Sequence, residues 1–379
     1  MRYTKILSLA LAVFFLLLSS LALALTREEQ NSIELYKHLS PGVVKITSTV
    51  MEHDLLMQAV PAEGTGSGSI IDPRGYILTN KHVIGERKLE VTLADGRKFR
   101  ARLIGSDSNT DLAVLKINAG NEKLTVIPMG DSDHLQVGQK ALSIGDPFGL
   151  GKSLTVGVIS SVGRTMRAAN GALVEDVIQT DAAINPGSSG GPLIDSSGKM
   201  IGITTAIFSP TGASVGIGFA IPVNLARRVE VELIKKGYYS YPYLGATLMS
   251  LFPDIAETLK LPVRRGALVI AMVHGGPAEK AGLHGGNHKE RIGNDVVMSG
   301  GDVIVSVDGV EVGDADAAVR QIDRLHPGDR VRLGIVRSDG ASKVLTVTLG
   351  ERPREKNKLG SRGSLDPDQT AGTPWRVLQ

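Results

Sequence analysis

The segment Asn185-Pro186-Gly187-Ser188-Ser189-Gly190-Gly191-Pro192 has the residue types of a nucleophile held in a tight turn. A serine hydroxyl attacking an acyl carbon needs a base for its proton and backbone N–H donors aimed at the oxyanion that forms. A Gly-rich turn can present its own N–H groups because few side chains stand in the way. The spacing sets Gly187 and Ser189 around the Ser189 hydroxyl as such a hole, with Ser188 between them contributing backbone. Removing one donor of this kind typically costs about 10²–10³ in rate, so the turn's shape matters as much as the serine. A Gly-Ser-x-Gly string alone equally describes a surface loop; the longer run from Thr180 to Pro192 narrows the reading.

The elements that must hold this turn read as β. From Pro41 to about Ile221, short runs of Val, Ile, Leu and Thr alternate with turn clusters. Gly68–Asp72 and Tyr76–Thr79 flank Pro73-Arg74-Gly75, and Leu89–Leu93 and Lys98–Ile104 flank a turn containing Asp95-Gly96, a strong hairpin signal. Leu112–Ile117, Gln139–Ile144, Leu154–Val162, Gly191–Ile194 and Met200–Thr205 continue the pattern, which predicts a sandwich or barrels. Residues 26–40 predict a short lead helix. Asn224–Lys236 has helical spacing of Leu225, Val229 and Leu233, with Asn224 as N-cap and Gly237 as C-terminal cap. The linker helix and junction, 224–242, lead to an α+β module at 243–350. Its expected helices are Asp254–Lys260, Pro277–Gly282 and Asp314–Leu325. Its expected strands are Ala267–Val273, Asp302–Val307, Arg330–Arg337 and Ser342–Leu349. The tail 351–379 is charged and poor in apolar residues, the composition of disorder.

The run Thr180–Pro192 resembles the nucleophile segment of the HtrA/Deg branch of trypsin-like serine proteases. Thr79-Asn80-Lys81-His82-Val83 resembles the segment bearing that family's catalytic histidine, and Asp107–Lys116, with Asp111 inside it, the segment bearing its aspartate. The order His, Asp, Ser is that of chymotrypsin-like enzymes. The resemblance implies a mainly β protease domain at 41–223 made of two perpendicular barrels, with His82 and Asp111 from the first and Ser189 from the second. By the logic of such triads, Ser189 attacks the peptide carbonyl, His82 carries its proton to the leaving amine, and Asp111 orients the imidazole. One position departs from the family: Ser188 stands where an asparagine is usual, and the following Gly-Gly-Pro fixes the nucleophile as Ser189.

Ala183 occupies the position, six before the nucleophile, where an acid would select basic P1 side chains. With Ile184, the run Thr204, Thr205, Ala206 and Ile207, and Gly216–Phe219, it predicts a pocket for small or medium aliphatic P1 residues, since nothing there offsets a buried charge. The loops Gly145–Lys152, Thr165–Leu173 and Ser209–Gly216 match those that the family orders on activation. Arg164, at the start of the second, is either a relay from the other domain or a solvated arginine. Tyr243, Leu244, Gly245 and Ala246 resemble the carboxylate-binding loop of a PDZ domain, in which a peptide adds as a strand beside Ala246–Met249. Gly276–Leu283 and Gly300–Gly309 fit the same pattern, with an insertion at His284–Ser299 between them. The partners implied are unfolded polypeptides at the protease site and C-terminal peptides at the PDZ domain, in a homotrimer joined through protease domains.

Composition excludes several alternatives. The 379 residues include no cysteine, which removes disulfides and thiolate chemistry, and a net charge of +3 is too small to argue for nucleic acid. Gly149-Leu150-Gly151-Lys152-Ser153 fails as a phosphate loop because Asp146 stands where glycine is required. His284 and His288 sit in a Gly-rich stretch rather than on a helix, so no metal is expected, and the chemistry calls for no cofactor or ATP. Arg2 and Lys5 precede an apolar run, Ile6–Leu25, which reads either as a cleaved signal with Ala22-Leu23-Ala24 at its end or as a retained inner-membrane anchor. Either assignment places the remainder outside the cytoplasm, in the periplasm by resemblance. The expected function is an endopeptidase for misfolded or damaged exported proteins. The alternatives are a site-specific membrane-anchored regulatory protease, or a non-catalytic chaperone or peptide-binding protein on the same scaffold.

Overall fold

Thr26 and Glu29 cap the first helix, Arg27–Leu39 (α1), reciprocally: Glu29 N donates to Thr26 Oγ1 at 3.1 Å and Thr26 N donates to Glu29 Oε2 at 2.7 Å. Helix α1 buries Leu39 and rests Leu35 and Tyr36 on the core that follows. The computed structural model describes residues 25–53, 59–85, 88–120, 122–146, 151–167, 173–207, 214–292, 295–353 and 375–378. The apolar run before Leu25 therefore lies outside the described residues. Among the described residues no helix is long and apolar enough to cross a membrane. The chain divides into two units, at Tyr239 and Ser240.

In the first unit, Val43–His53 (β1), Ala59–Asp72 (β2), Tyr76–Asn80 (β3), Leu89–Thr92 (β4), Lys98–Arg100 (β5), Arg102–Asp107 (β6) and Leu112–Lys116 (β7) form an antiparallel sheet in the order β5-β4-β1-β2-β3-β7-β6. Strand β7 shows why the pattern folds this way. Its period of two sends Leu112 and Val114 into one core and Leu115 into another, so the strand is buried on both faces. Lys140–Gly145 (β8), Ser153–Arg167 (β9), Leu173–Thr180 (β10), Pro192–Ile194 (β11), Met200–Ile207 (β12) and Gly218–Pro222 (β13) close into a barrel in the order β10-β13-β12-β11-β8-β9. Ala141, Ile159, Ile178, Leu193, Ile201 and Ala220 fill it.

The second barrel closes through hydrogen bonds. In the first sheet the end strands β5 and β6 are joined by Ala101 alone, and its N–H donates to Leu89 O of β4 at 2.9 Å, so the chain itself brings the two ends of the path together. Helix Val223–Lys236 (α2) buries Val223, Ala226, Val229 and Leu233. Gly237 caps it in the left-handed region as expected. Asn224 does not: the helix begins one residue earlier, and the Asn224 side chain donates to Asp131 Oδ1 at 2.7 Å.

The second unit holds Pro242–Tyr243 (β14), Ala246–Leu251 (β15), Pro253–Thr258 (α3), Gly266–Met272 (β16), Pro277–Lys280 (α4), His288–Ile292 (β17), Asp295–Ser299 (β18), Val303–Val307 (β19), Val310–Glu311 (β20), Ala315–Asp323 (α5), Arg330–Val336 (β21), Ser342–Thr348 (β22), Gly350–Glu351 (β23) and Trp375–Leu378 (β24). Its main sheet runs β22-β21-β19-β16-β15-β24 and is covered by α5, which contributes Ala315, Ala318, Val319 and Ile322 to the core. The insertion expected as a loop is a hairpin, β17 with β18. The tail expected as disordered differs at two places. Strand β23 pairs with β14, and β24 adds to the open edge of β15. Both gain partners distant in sequence, which composition does not register. Residues 354–374 lie outside the described residues.

Candidate active site

Strands β3 and β7 are neighbours, paired with Asn80 opposite Leu112, so the segments following β3 and preceding β7 meet at one end of the sheet. His82 lies on the turn Lys81–Val83 just after β3. Asp111 lies just before β7, with φ of 56°, outside the regions that an aspartate ordinarily prefers. Neighbours over-determine that backbone. Asn80 Nδ2 and Lys81 N donate to the Asp111 carbonyl at 3.0 and 2.9 Å. Thr110 N and Oγ1 both donate to Asp107 Oδ2, at 2.8 and 2.7 Å, and tighten the turn before it.

The Asp111 carboxylate is 0% exposed and accepts three hydrogen bonds. His82 N reaches Oδ1 at 3.0 Å, His82 Nδ1 reaches Oδ2 at 2.6 Å, and Thr205 Oγ1 donates to Oδ2 at 2.9 Å. A bond of this length between ring nitrogen and carboxylate fixes the imidazole plane and leaves Nε2 outward. The His82 side chain is 24% exposed, enough for solvent and a substrate to reach it.

Ser189 arrives with the barrel, on the turn before β11. Ser67 of β2 clamps that turn from the other side: its Oγ donates to Gly187 O at 2.7 Å and its N–H to Ser189 O at 2.8 Å. Thr204 Oγ1 braces the same turn against Ser188 O and Gly191 O, at 2.8 and 3.1 Å. Gly190 sits where the two halves touch. With φ of 85°, a Cβ there would stand 2.2 Å from both Ser67 O and Thr79 Oγ1. Ser189 Oγ donates to Thr205 O at 3.1 Å, and among the described residues no hydrogen bond joins it to the His82 ring. The N–H groups of Gly187 and Ser189 donate to no acceptor among the described residues, while that of Ser188 is used by Asn185 O at 2.9 Å. The backbone N–H of Ser188 is therefore not offered to an oxyanion.

The expected pocket residues separate. Ile184 is buried against Gly218, and Ala183 gives its carbonyl to Thr155 Oγ1 at 2.9 Å. Thr204 and Thr205 turn their hydroxyls to the nucleophile turn and to Asp111, roles that their positions in the sequence do not reveal. Ala206 and Ile207 continue β12 beside Phe219 and Gly218. The centres of the three neighbouring loops, 147–150, 168–172 and 208–213, lie outside the described residues; Ser214 N donates to Asn185 Oδ1 at 2.9 Å. Arg164 is exposed on β9, its Nε on Ser161 Oγ at 3.2 Å. Ser67 was missed by sequence reasoning. The alternation Gly64-Thr65-Gly66-Ser67-Gly68-Ser69 is the signal for it, since repeated glycines in a strand mark close approach of other groups.

In the second unit, Leu244 and Gly245 leave their N–H groups without an acceptor among the described residues, while their carbonyls accept from Ala278 and Val273 at 3.0 and 2.9 Å. Tyr243 precedes them in β14 and Ala246 opens β15.

A trypsin-like peptidase domain matches residues 66–203, and a PDZ domain matches 242–349. The chain is 43% identical to protease Do-like 1, chloroplastic, of Arabidopsis thaliana, over 87% of this chain and 74% of that protein. It is 41% identical to a probable periplasmic serine endoprotease, DegP-like, of Brucella suis, over 79% of this chain but only 55% of that protein, so it spans about half the length of such bacterial relatives. Among solved structures, the HtrA-type protease AlgW with a decapeptide superposes with a TM-score of 0.70 at 37% identity, covering 86% of this chain and 99% of that one. A serine endoprotease from Yersinia pestis gives 0.61 at 32%, covering 85% and 98%. A trypsin-like domain followed by one PDZ domain, with likeness to these proteins along most of its length, makes this chain a member of the HtrA/Do-like family of serine endopeptidases.

Proposed function

We propose that His82, Asp111 and Ser189 are the catalytic triad of this endopeptidase, and that it cleaves misfolded or damaged polypeptides outside the cytoplasm without ATP. Thr205 carries the assignment: its hydroxyl donates to the Asp111 carboxylate, which holds His82 Nδ1, while its carbonyl accepts from Ser189 Oγ, so Thr205 links the Asp111–His82 pair to Ser189. For attack, the Ser189 hydroxyl leaves Thr205 O and turns to His82 Nε2, which takes its proton as the Oγ–carbonyl bond forms. Asp111 stabilises the imidazolium, and the Gly187 and Ser189 N–H groups receive the oxyanion. His82 then protonates the leaving amine, and water attacks the acyl-enzyme by the same route in reverse.

The buried Ile184 and the small Ala183 support a pocket for aliphatic P1 side chains. The name of the Brucella relative supports a periplasmic location, and the apolar run Ile6–Leu25 supports export or anchoring. The N–H groups of Leu244 and Gly245, without an acceptor among the described residues and beside β15, support capture of a peptide C-terminus at the PDZ unit; a relay through Arg164 belongs to the same reading. Leu25, Ile33, Val156 and Val158, exposed apolar side chains along one groove beside α1, support self-association, as a trimer.

Casein hydrolysis by the purified protein, alongside Ser189→Ala, tests the triad. Loss of about 10³-fold or more is expected, with a fluorophosphonate probe mapping to Ser189. Equal activity in the variant, or labelling of another serine, rejects it.

A further inference from the structure

Strand β15 has β16 on one side and, on the other, a strand contributed by the chain's own tail. The register is antiparallel: Leu378 stands opposite Ala246, Val377 opposite Thr247, Arg376 opposite Leu248 and Trp375 opposite Met249. The segment therefore runs toward the loop Tyr243–Gly245, where the N–H groups of Leu244 and Gly245 have no acceptor among the described residues. It also lies beside α5, whose apolar face joins Ala246 and Leu248 in one core. A peptide adding to this sheet edge would take the same line, the same direction and the same neighbours.

The connection permits this within one molecule. Strand β23 pairs with β14, Gly350 opposite Tyr243, so the chain leaves the sheet beside the loop to which the segment returns. Residues 354–374 have a contour of about 70 Å at 3.3–3.6 Å each, against about 20 Å for β15. A tether of that length gives an effective concentration on the order of millimolar. Even a weak segment thus competes with peptides present at micromolar levels.

We propose that Trp375–Leu378 is a built-in ligand of this unit, occupying its peptide groove in cis, so that an outside peptide binds only by displacing it. The proposal rests on reading that edge as a peptide groove. The test compares the full chain with a variant lacking 354–379, titrating each with a fluorescein-labelled peptide of sequence Gly372–Gln379 and with an immobilised library of random C-terminal decapeptides. The truncated protein is expected to bind the labelled peptide about tenfold or more tightly than the full chain does, with unchanged circular dichroism and with a ratio independent of protein concentration. Equal affinity of both proteins overturns the proposal, and a ratio that grows with protein concentration replaces it with exchange between copies. If library peptides bind the truncated protein but the labelled peptide does not, self-occupancy falls and the groove stands; if nothing binds, both fall.

Discussion

At the scale of single residues, Thr205 is where the structure adds most to the sequence. Its position assigns it to a pocket wall, yet its hydroxyl is spent on Asp111 and its carbonyl on Ser189. Thr205→Val keeps the shape and removes the donor. It is expected to lower kcat about tenfold in a peptide-hydrolysis assay with KM little changed, because the aspartate loses one of its restraints but keeps two bonds from His82. Asp111→Asn should cost far more, about 10⁴ in kcat, since an amide no longer enforces the ring tautomer. Gly190→Ala is a packing lesion. A methyl 2.2 Å from two oxygens on a backbone of positive φ should destabilise the fold by about 2–4 kcal/mol, read by urea denaturation. The segments around His82, Asp111 and Ser189 were legible because each is a contiguous string. Ser67 and Thr205 were not, because what they hold lies more than ninety residues away.

At the scale of elements, helix α2 carries a titration. Glu230 lies on it with Oε2 buried and without a hydrogen-bond partner among the described residues, and burial pushes its carboxyl up to about 7 despite the attraction of Arg227. The folded state therefore holds a proton that the unfolded chain releases near 4.5. Stability from this group is complete below pH 4.5 and is lost as pH rises through 7. Glu230→Gln should remove that loss, raising stability at pH 8 by about 1–3 kcal/mol and making no difference at pH 4, as measured by denaturant melts across pH. The sequence announces α2 through its spacing and Gly237, and most of the PDZ elements through runs of five to seven apolar or β-branched residues. Strands β1 and β10 were not anticipated. Strand β24 was not either, since four residues after a polar stretch become a strand only because β15 offers an unpaired edge.

At the scale of the whole molecule, two units with separate cores should unfold separately. Calorimetry is expected to resolve two transitions, and removal of 354–379 should lower only the one belonging to the PDZ unit, which loses an edge strand. A single cooperative transition shifted by the truncation would contradict that independence. The order of domains was legible from the change of pattern after Pro222 and from the Tyr-rich junction that contains Pro242. The break of the run Lys98–Ile104 into β5 and β6 at Ala101 was not.

The clasp between Ser67, Thr79 and the turn at Gly190 has a consequence for how such a chain matures. A half-made protein whose leading sheet has condensed holds an imidazole and its acid but nothing to attack with. The hydroxyl and its oxyanion donors acquire their shape only when the trailing barrel closes against that sheet. On the proposed triad, cutting therefore requires both halves to have folded, since the acid and base come from one and the hydroxyl from the other.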